Sequence, residues 1–175
     1  MLVERFGAGP KAYLVLEGMA LGHIYNKAVG VQRYKISLHT QGGHSWTDYG
    51  RPSAIHALSA LITGISAIQP PTHPHTTLNV GRISGGTSIN TIAADAWLEL
   101  DLRSEDSGSL ARLVSQVENL VEAARHPGIV VEMTSIGQRP SGEISPIHPI
   151  IRLAQACLVE LAKDGHDAAG AMDVL

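Results

Sequence analysis

The chain has little cysteine, few aromatic residues and no excess of basic charge. Of its 175 residues one is a cysteine, 4% are aromatic, and the net charge is −3 with nine neutral histidines. A single cysteine forms no internal disulfide, which favours a reducing compartment. Without an excess of positive charge, the chain is poorly suited to bind the phosphate groups of a nucleic acid, so we expect no nucleic-acid partner.

Long hydrophobic runs are missing as well. The most apolar stretch, 57–68, is interrupted by hydroxyl-bearing residues and a glycine, so the sequence predicts neither a transmembrane helix nor a membrane partner. The first residues are charged at Glu4 and Arg5 and lack an apolar run of the signal-peptide type. We therefore expect a soluble, cytoplasmic protein.

The residues that are present can build a folded core. Apolar residues make up 44% of the chain and charged residues 17%, which is a composition typical of globular domains and not of disordered segments. Because aromatic residues are scarce, we expect the core to be aliphatic.

The hydrophobic pattern predicts six elements in the order β-α-β-β-α-β between residues 30 and 140. Apolar residues alternate in the strands and recur at helical spacing in the helices. The predicted strands begin at Gly30, Thr76, Ala94 and Ile129, the helices follow Pro52 and Ser107, and Ser107 is the expected cap of the second helix. This order predicts an α+β fold, a ferredoxin-like two-layer sandwich with a four-stranded antiparallel sheet and two helices on one face.

Two segments fall outside this unit. Residues 12–16 form a short apolar run ending at Glu17, the pattern of a buried strand that enters a loop. A third amphipathic helix is predicted from His148 to Lys163, and Cys157 in its apolar stripe is expected to be an inert core residue.

The strongest local signal for chemistry is the sequence 42–46, Gly-Gly-His-Ser-Trp. Two glycines free the backbone at a strand end, and His44 follows them. Such a histidine can offer an N–H to a developing oxyanion. Spacing alone equally describes a loop histidine without a partner.

Three further residues are candidates, each with a plainer alternative. Asn90 ends a glycine turn at 85–90 that is otherwise an ordinary strand connection. Arg103 ends an alternating strand, where its guanidinium is suited to hold a carboxylate or simply to pair with Asp101 on the surface. Glu17, just after a buried strand, is placed as a metal ligand or as a solvent-facing residue.

Taken together, the motifs resemble one family. The segments are GGHS at 42–45, AIHAL at 54–58, TTLNVG at 76–81, ISGGTSINTI at 83–92 and LDLR at 100–103. They are similar to the dimerisation (lid) domain of the di-zinc metallopeptidases and aminoacylases, a family that includes carboxypeptidase G, peptidase T and succinyl-diaminopimelate desuccinylase.

The resemblance implies roles for the candidate residues. In such enzymes a βαββαβ lid is inserted into a larger domain that holds two zinc ions, and two lids join to form a homodimer. The histidine at the position of His44 reaches the partner's active site and polarises the scissile carbonyl. Asn90 and Arg103 match residues that hold the substrate's carboxylate end, and Glu17 matches a metal ligand. The implied reaction is hydrolysis of a peptide or an N-acyl amino acid.

The chain lacks most of the catalytic motifs that this family needs. It contains no His-x-Asp and no Glu-Glu sequence, and a two-metal site needs several such ligands. We therefore expect residues 30–140 to be a lid domain, 1–29 and 141–175 to be remnants of a truncated catalytic domain, and the chain alone to bind no zinc and be inactive.

Two alternatives remain open from the sequence. The first alternative to the lid domain is a complementing fragment of a split metallopeptidase. The second, by analogy of fold alone, is a small-molecule-binding regulatory domain. For dimerisation, the sequence favours the strand Thr76–Ile83 as the pairing edge, with the first helix beside it.

Overall fold

The computed structural model describes residues 2–7, 9–10, 13 and 23–163. The predicted strand at 12–16, apart from Tyr13, and the predicted metal ligand Glu17 lie outside these residues. The chain divides into two compact units. One is Ala28–Gly142, and the other is formed by the terminal segments Met1–Lys27 and Glu143–Leu175.

Helices and strands follow one another in an order that contains the predicted βαββαβ unit. In chain order the elements are α1 (Leu2–Phe6), β1 (Lys27–Ala28), β2 (Gly30–His39), β3 (Gly43–His44), α2 (Ala54–Ala67), β4 (Thr76–Gly85), β5 (Thr91–Ile92), β6 (Asp95–Ser104), α3 (Ser107–Ala123), β7 (Val130–Arg139), β8 (Gly142–Glu143) and α4 (Pro149–Lys163).

The four long strands form one sheet in the order β4-β6-β2-β7, and each neighbouring pair is antiparallel. This confirms the predicted α+β class and the four-stranded antiparallel sheet. Each parallel connection passes through a helix, as β2-α2-β4 and β6-α3-β7. The outer strands are therefore β4 and β7, and each carries a register irregularity, between Val80 and Arg82 in β4 and opposite Arg33 and Tyr34 in β7.

The core lies between the sheet and the helices α2 and α3. Strand β6 shows the expected alternation, since every second side chain from Ala96 to Ser104 is buried. The fully buried side chains include Ile36, Leu98 and Val117 from three elements. Burying an aliphatic side chain of this size contributes about 1.5–3 kcal/mol, so an aliphatic core of this kind stabilises the unit without aromatic residues.

The helix α3 is capped by Asp106 and not by Ser107 as the sequence suggested. The backbone of Asp106 is extended, and its side chain accepts a hydrogen bond from the N–H of Ser109. Ser107 is the first helical residue instead. An aspartate at this position satisfies a free N–H group and places negative charge at the positive end of the helix.

Cys157 in α4 is exposed, so its assignment to a core was wrong. Leu153 and Leu161 of the same helix are also exposed, at 60% and 47%. The apolar spacing of α4 is real, but the described residues leave this part of the helix uncovered. Spacing alone identifies an amphipathic helix and does not reveal what covers it.

Among the helices of the described residues, none combines the length and apolar character needed to cross a membrane.

Candidate functional site

The structure places the two predicted loops, around His44 and Asn90, side by side. The short strands β3 and β5 pair with His44 opposite Thr91. The N–H of Ser45 donates to the carbonyl of Asn90 at 2.9 Å. Both His44 and Asn90 are exposed at one end of the sheet, and the Oδ1 of Asn90 accepts a hydrogen bond from the hydroxyl of Ser88 at 2.6 Å.

The glycines before His44 are required by the backbone and by close packing. Gly42 has a φ of +67° and Gly43 a φ of +155°, which are values that favour glycine. A Cβ on Gly43 would also lie 2.8 Å from the carboxylate of Asp48. The missing side chain at Gly43 therefore leaves the space in which the Asp48 carboxylate sits.

Asp48 connects both sides of the His44 loop. Its Oδ2 accepts a hydrogen bond from the N–H of His44 at 2.8 Å, and its Oδ1 lies 2.8 Å from Nη2 of Arg51. Arg51 in turn donates through Nη1 to the carbonyl of Gly42 at 3.3 Å. The hydrogen bond from His44 and the charge of Arg51 lower the pKa of Asp48 below its ordinary value.

The imidazole of His44 has one contact that bears on its chemistry. The N–H of Trp46 donates to Nδ1 of His44 at 3.2 Å. The sequence had indicated His44 itself, but Asp48, Arg51 and the Trp46 N–H were missed. An Asp four residues after a Gly-Gly-His sequence is the signal that would have found the first of them.

Arg103 lies at the other end of β6. It pairs with Thr77 of β4 and Val31 of β2, eight residues along the strand from Asp95. At about 3.3 Å per residue this separation is roughly 26 Å. Within one chain the structure therefore brings His44 and Asn90 together and does not bring Arg103 to them.

Arg103 already has a carboxylate partner. Its Nε donates to Oδ2 of Asp101 at 2.6 Å, and Nε of Arg33 donates to Oδ1 at 2.7 Å. Burial raises the pKa of Asp101, but the hydrogen bonds from Arg33 and Arg103 outweigh it, so the pKa lies below its ordinary value. The surface pair considered from the sequence is present, and Asp101 links both arginines.

The same polar face of the sheet holds an aromatic contact that sequence reasoning did not find. The ring of Trp97 contacts two cations, Nζ of Lys35 at 4.9 Å and the guanidinium of Arg82 at 5.3 Å from its centroid. Arg82 also forms an ion pair with Glu99 at 3.0 Å. These interactions order the side chains between the two ends of the sheet.

The described residues do not form a metal centre. None of them belong to a group of three or more His, Cys, Asp or Glu side chains placed to hold an ion. The residues that the structure describes therefore do not match the two-zinc site that the resemblance implies for complete enzymes.

Comparison with known families decides the assignment. The family model described as the peptidase dimerisation domain matches residues 26–128, which is more than half of the chain. The chain belongs to the peptidase dimerisation domain family. The match includes β2 to α3 and both loops of the candidate site.

Solved structures give the same fold for this dimerisation domain. A tripeptidase from Staphylococcus aureus superposes with a TM-score of 0.68 at 21% identity, covering 88% of this chain and 40% of its own. An aminobenzoyl-glutamate utilization protein from Klebsiella pneumoniae superposes with a TM-score of 0.66 at 18% identity, covering 83% of this chain and 37% of its own. Aminopeptidase PepT from Bacillus cereus superposes with a TM-score of 0.64 at 17% identity, covering 81% of this chain and 38% of its own.

At these identities the structural similarity establishes the fold alone. The chain spans about two fifths of the length of each of these three proteins. No curated protein shows a significant match to the sequence.

Proposed function

We propose that this chain is a homodimerisation module of a zinc-dependent peptidase or N-acyl-amino-acid amidohydrolase, and that two copies pair through the edge strand β4 and the adjacent helix α2. The observation that carries the proposal is the contrast between the two helices on the sheet. Helix α2 contains no Asp, Glu, Lys or Arg, whereas α3 contains Arg112, Glu118 and Glu122.

Both helices have a side turned away from the sheet, and a solvent-facing side is normally charged. On α2 that side carries Ile55, Ser59, Thr63 and Ser66, all exposed in the single chain. Charged residues are depleted where a surface is buried in an interface. The outer side of α2 therefore has the composition of a surface that another protein covers.

Strand β4 supplies the second half of the same surface. It is an outer strand that pairs only with β6 among the described strands, and such an edge pairs readily with a copy related by a two-fold axis. Ile83 is 61% exposed and is paired with the buried Leu98, so it lies on the helix side of the sheet. Together α2 and β4 form the α2–β4 surface.

A two-fold dimer would give the candidate residues a shared site. In one chain His44 and Arg103 lie at opposite ends of the four-stranded sheet, so they belong to different sites unless a second subunit contributes. We propose that His44 and Asn90 of one subunit act on a peptide or N-acyl amino acid held beside Arg103 of the other. His44 would stabilise the oxyanion, Asn90 and Arg103 would bind the substrate's carboxylate end, and Glu17 would be a metal ligand.

The chain alone is proposed to be inactive, because its sequence lacks the His-x-Asp and Glu-Glu motifs of the family. Zinc-dependent hydrolysis of dipeptides or N-acyl amino acids by the pure chain would contradict this. The cytoplasmic location remains a prediction from the sequence.

The dimer is tested by light scattering over a concentration series with two matched variants. Ile83→Asp places a charge on the β4 edge, and Ile136→Asp places the same charge on the β7 edge, where the isoleucine is 48% exposed. Burying an unpaired charge in an interface costs about 2–5 kcal/mol. We therefore expect a wild-type dimer, a monomeric Ile83→Asp variant and a dimeric Ile136→Asp variant.

Either of two results would overturn the proposal. A wild-type chain that is monomeric throughout would contradict self-association. A variant pair with the opposite behaviour, dimeric Ile83→Asp and monomeric Ile136→Asp, would assign the interface to β7.

A further inference from the structure

The His44 loop is held from within by contacts that the family assignment does not explain. Five hydrogen bonds or ion pairs that involve a side chain link residues 42–51 to one another, and the Asp48 side chain takes part in three of them. The loop lies between β3 and α2, without a regular element of its own from Ser45 to Ser53. Its conformation is held by these side-chain contacts together with backbone hydrogen bonds from Asp48 to His44 and from Arg51 to Asp48.

The hydrogen bond between Trp46 and His44 determines where the imidazole proton lies. A backbone N–H can only donate, so Nδ1 of His44 must accept and carries no proton. In the neutral ring the proton is then on Nε2. The Nε2–H group becomes the donor that the exposed imidazole presents to its surroundings.

Asp48 contacts the backbone next to this hydrogen bond. Its Oδ2 holds the N–H of His44, and its ion pair with Arg51 connects it to the carbonyl of Gly42 on the other side of the loop. Residues 42 and 44 are thereby fixed relative to the turn that contains Trp46. The N–H of Asp48 also donates to the carbonyl of His44 at 2.9 Å, closing this turn.

We propose that Asp48 is a positioning residue that, through the His44 N–H and Arg51, holds the loop so that the Trp46 N–H fixes the imidazole of His44 as its Nε2–H tautomer. An oxyanion needs a hydrogen-bond donor at a fixed place before charge develops. A ring that alternated between tautomers would present an acceptor instead of a donor for part of the time. The inference rests on the proposed role of His44 and adds the residue that prepares it.

Gly43 fits the same arrangement. An added Cβ there would lie 2.8 Å from both Cβ and Oδ2 of Asp48. The Gly-Gly-His sequence therefore does more than allow a tight turn. Its second glycine also leaves room for the carboxylate four residues after the histidine.

The test is a direct measurement of the tautomer in the complete chain. Long-range proton–nitrogen correlation spectra of the imidazoles distinguish Nδ1–H from Nε2–H, and a His44→Ala sample identifies the signals of His44. At a pH where the ring is neutral, we expect wild-type His44 to be the Nε2–H form. We expect Asp48→Ala to populate both tautomers. Asp48→Asn keeps an acceptor oxygen for the His44 N–H but loses the ion pair with Arg51, so it should restore the wild-type form only in part.

The matched control is Glu122→Ala. Glu122 of α3 forms the same kind of i,i+3 pair, with Arg125 at 2.9 Å, outside the loop. This variant should leave the His44 signals unchanged. If Asp48→Ala does not fold, Arg51→Met removes the ion pair with Asp48 and the hydrogen bond to the Gly42 carbonyl, and it should shift the His44 signals toward a mixture.

A wild-type ring that is Nδ1–H or already a mixture would overturn the proposal. So would a folded Asp48→Ala variant, or in its place Arg51→Met, with an unchanged tautomer. These outcomes are independent of the dimer test. A monomeric chain whose His44 is the Nε2–H tautomer would contradict the proposed dimer and support this inference. A dimeric chain whose His44 is a mixture of tautomers would support the dimer and contradict this inference.

Discussion

Asp101 shows how single residues on the polar face of the sheet respond to pH. It accepts hydrogen bonds from Arg33 and Arg103, and its pKa is below the ordinary value. The folded state therefore favours the charged carboxylate. Its contribution to stability is complete above the unfolded pKa of about 3.9 and is lost as the pH falls through the lower, folded pKa.

We predict that Asp101→Asn weakens this acid dependence. Exposed ion pairs contribute about 0.2–1 kcal/mol each, so the variant should lose up to about 2 kcal/mol at neutral pH. The loss should shrink as the pH falls below about 4. Urea unfolding over a pH series measures it.

The comparison variant is Glu118→Gln on α3, an exposed carboxylate for which the described part of the chain shows no ion-pair partner. It should change the neutral-pH stability far less than Asp101→Asn. Equal losses from the two variants would mean that the arginine pairs of Asp101 add nothing.

At the residue scale, the candidates predicted from the sequence are those that lie in recognisable motifs. The residues that were missed meet their partners only in the folded chain. His44 and Asn90 were found from glycine turns and were brought together by the β3–β5 pair. Asp48 was missed because its role depends on a loop returning to the N–H of His44. Trp97 was missed because its cations come from two other strands, through Lys35 and Arg82.

At the scale of elements, the two helices of the sandwich begin differently. The N-cap Asp106 of α3 accepts a hydrogen bond from the N–H of Ser109, at 2.6 Å, and this bond is the main cause of its lowered pKa. The N-cap Ser53 of α2 makes no side-chain cap hydrogen bond. The start of α3 therefore depends on its cap, and the start of α2 depends on packing.

We predict that Asp106→Ala destabilises the unit clearly and Ser53→Ala hardly at all. Loss of a bonded cap leaves an N–H group without its acceptor. We expect the unfolded-to-folded ratio to rise about fivefold for Asp106→Ala and to stay close to the wild-type value for Ser53→Ala. Urea titrations followed by circular dichroism measure both, and equal effects would contradict the assigned cap.

The elements were predicted well because each carries a periodic apolar pattern that needs no partner to be recognised. The alternation of β6 and the helical stripe of α3 are of this kind. Ser107 was mistaken for the cap because serine and aspartate are both good caps and stand next to each other. The bulge at Gly81 and the pairing of β3 with β5 depend on strand register, which local periodicity does not encode.

At the scale of the whole molecule, the α2–β4 surface and the separated candidate residues support the same proposal. A single chain leaves an uncharged helix side and an open strand edge next to each other, and it holds His44 and Arg103 at opposite ends of the sheet. A second copy related by a two-fold axis beside β4 would cover the uncharged side of the helix and the open strand edge. It would also give each site residues from both subunits.

If the dimer is the stable form, unfolding must depend on protein concentration. Each tenfold increase in concentration should raise the free energy of unfolding by about 1.4 kcal/mol, because dissociation accompanies unfolding. Ser59→Glu places a charge on the outer side of α2 and should remove this dependence. Ser115→Glu places the same charge on the exposed side of α3 and should leave it intact. A concentration dependence that survives Ser59→Glu would mean that the copies associate elsewhere, because a buried carboxylate without a partner is too costly to remain in an interface.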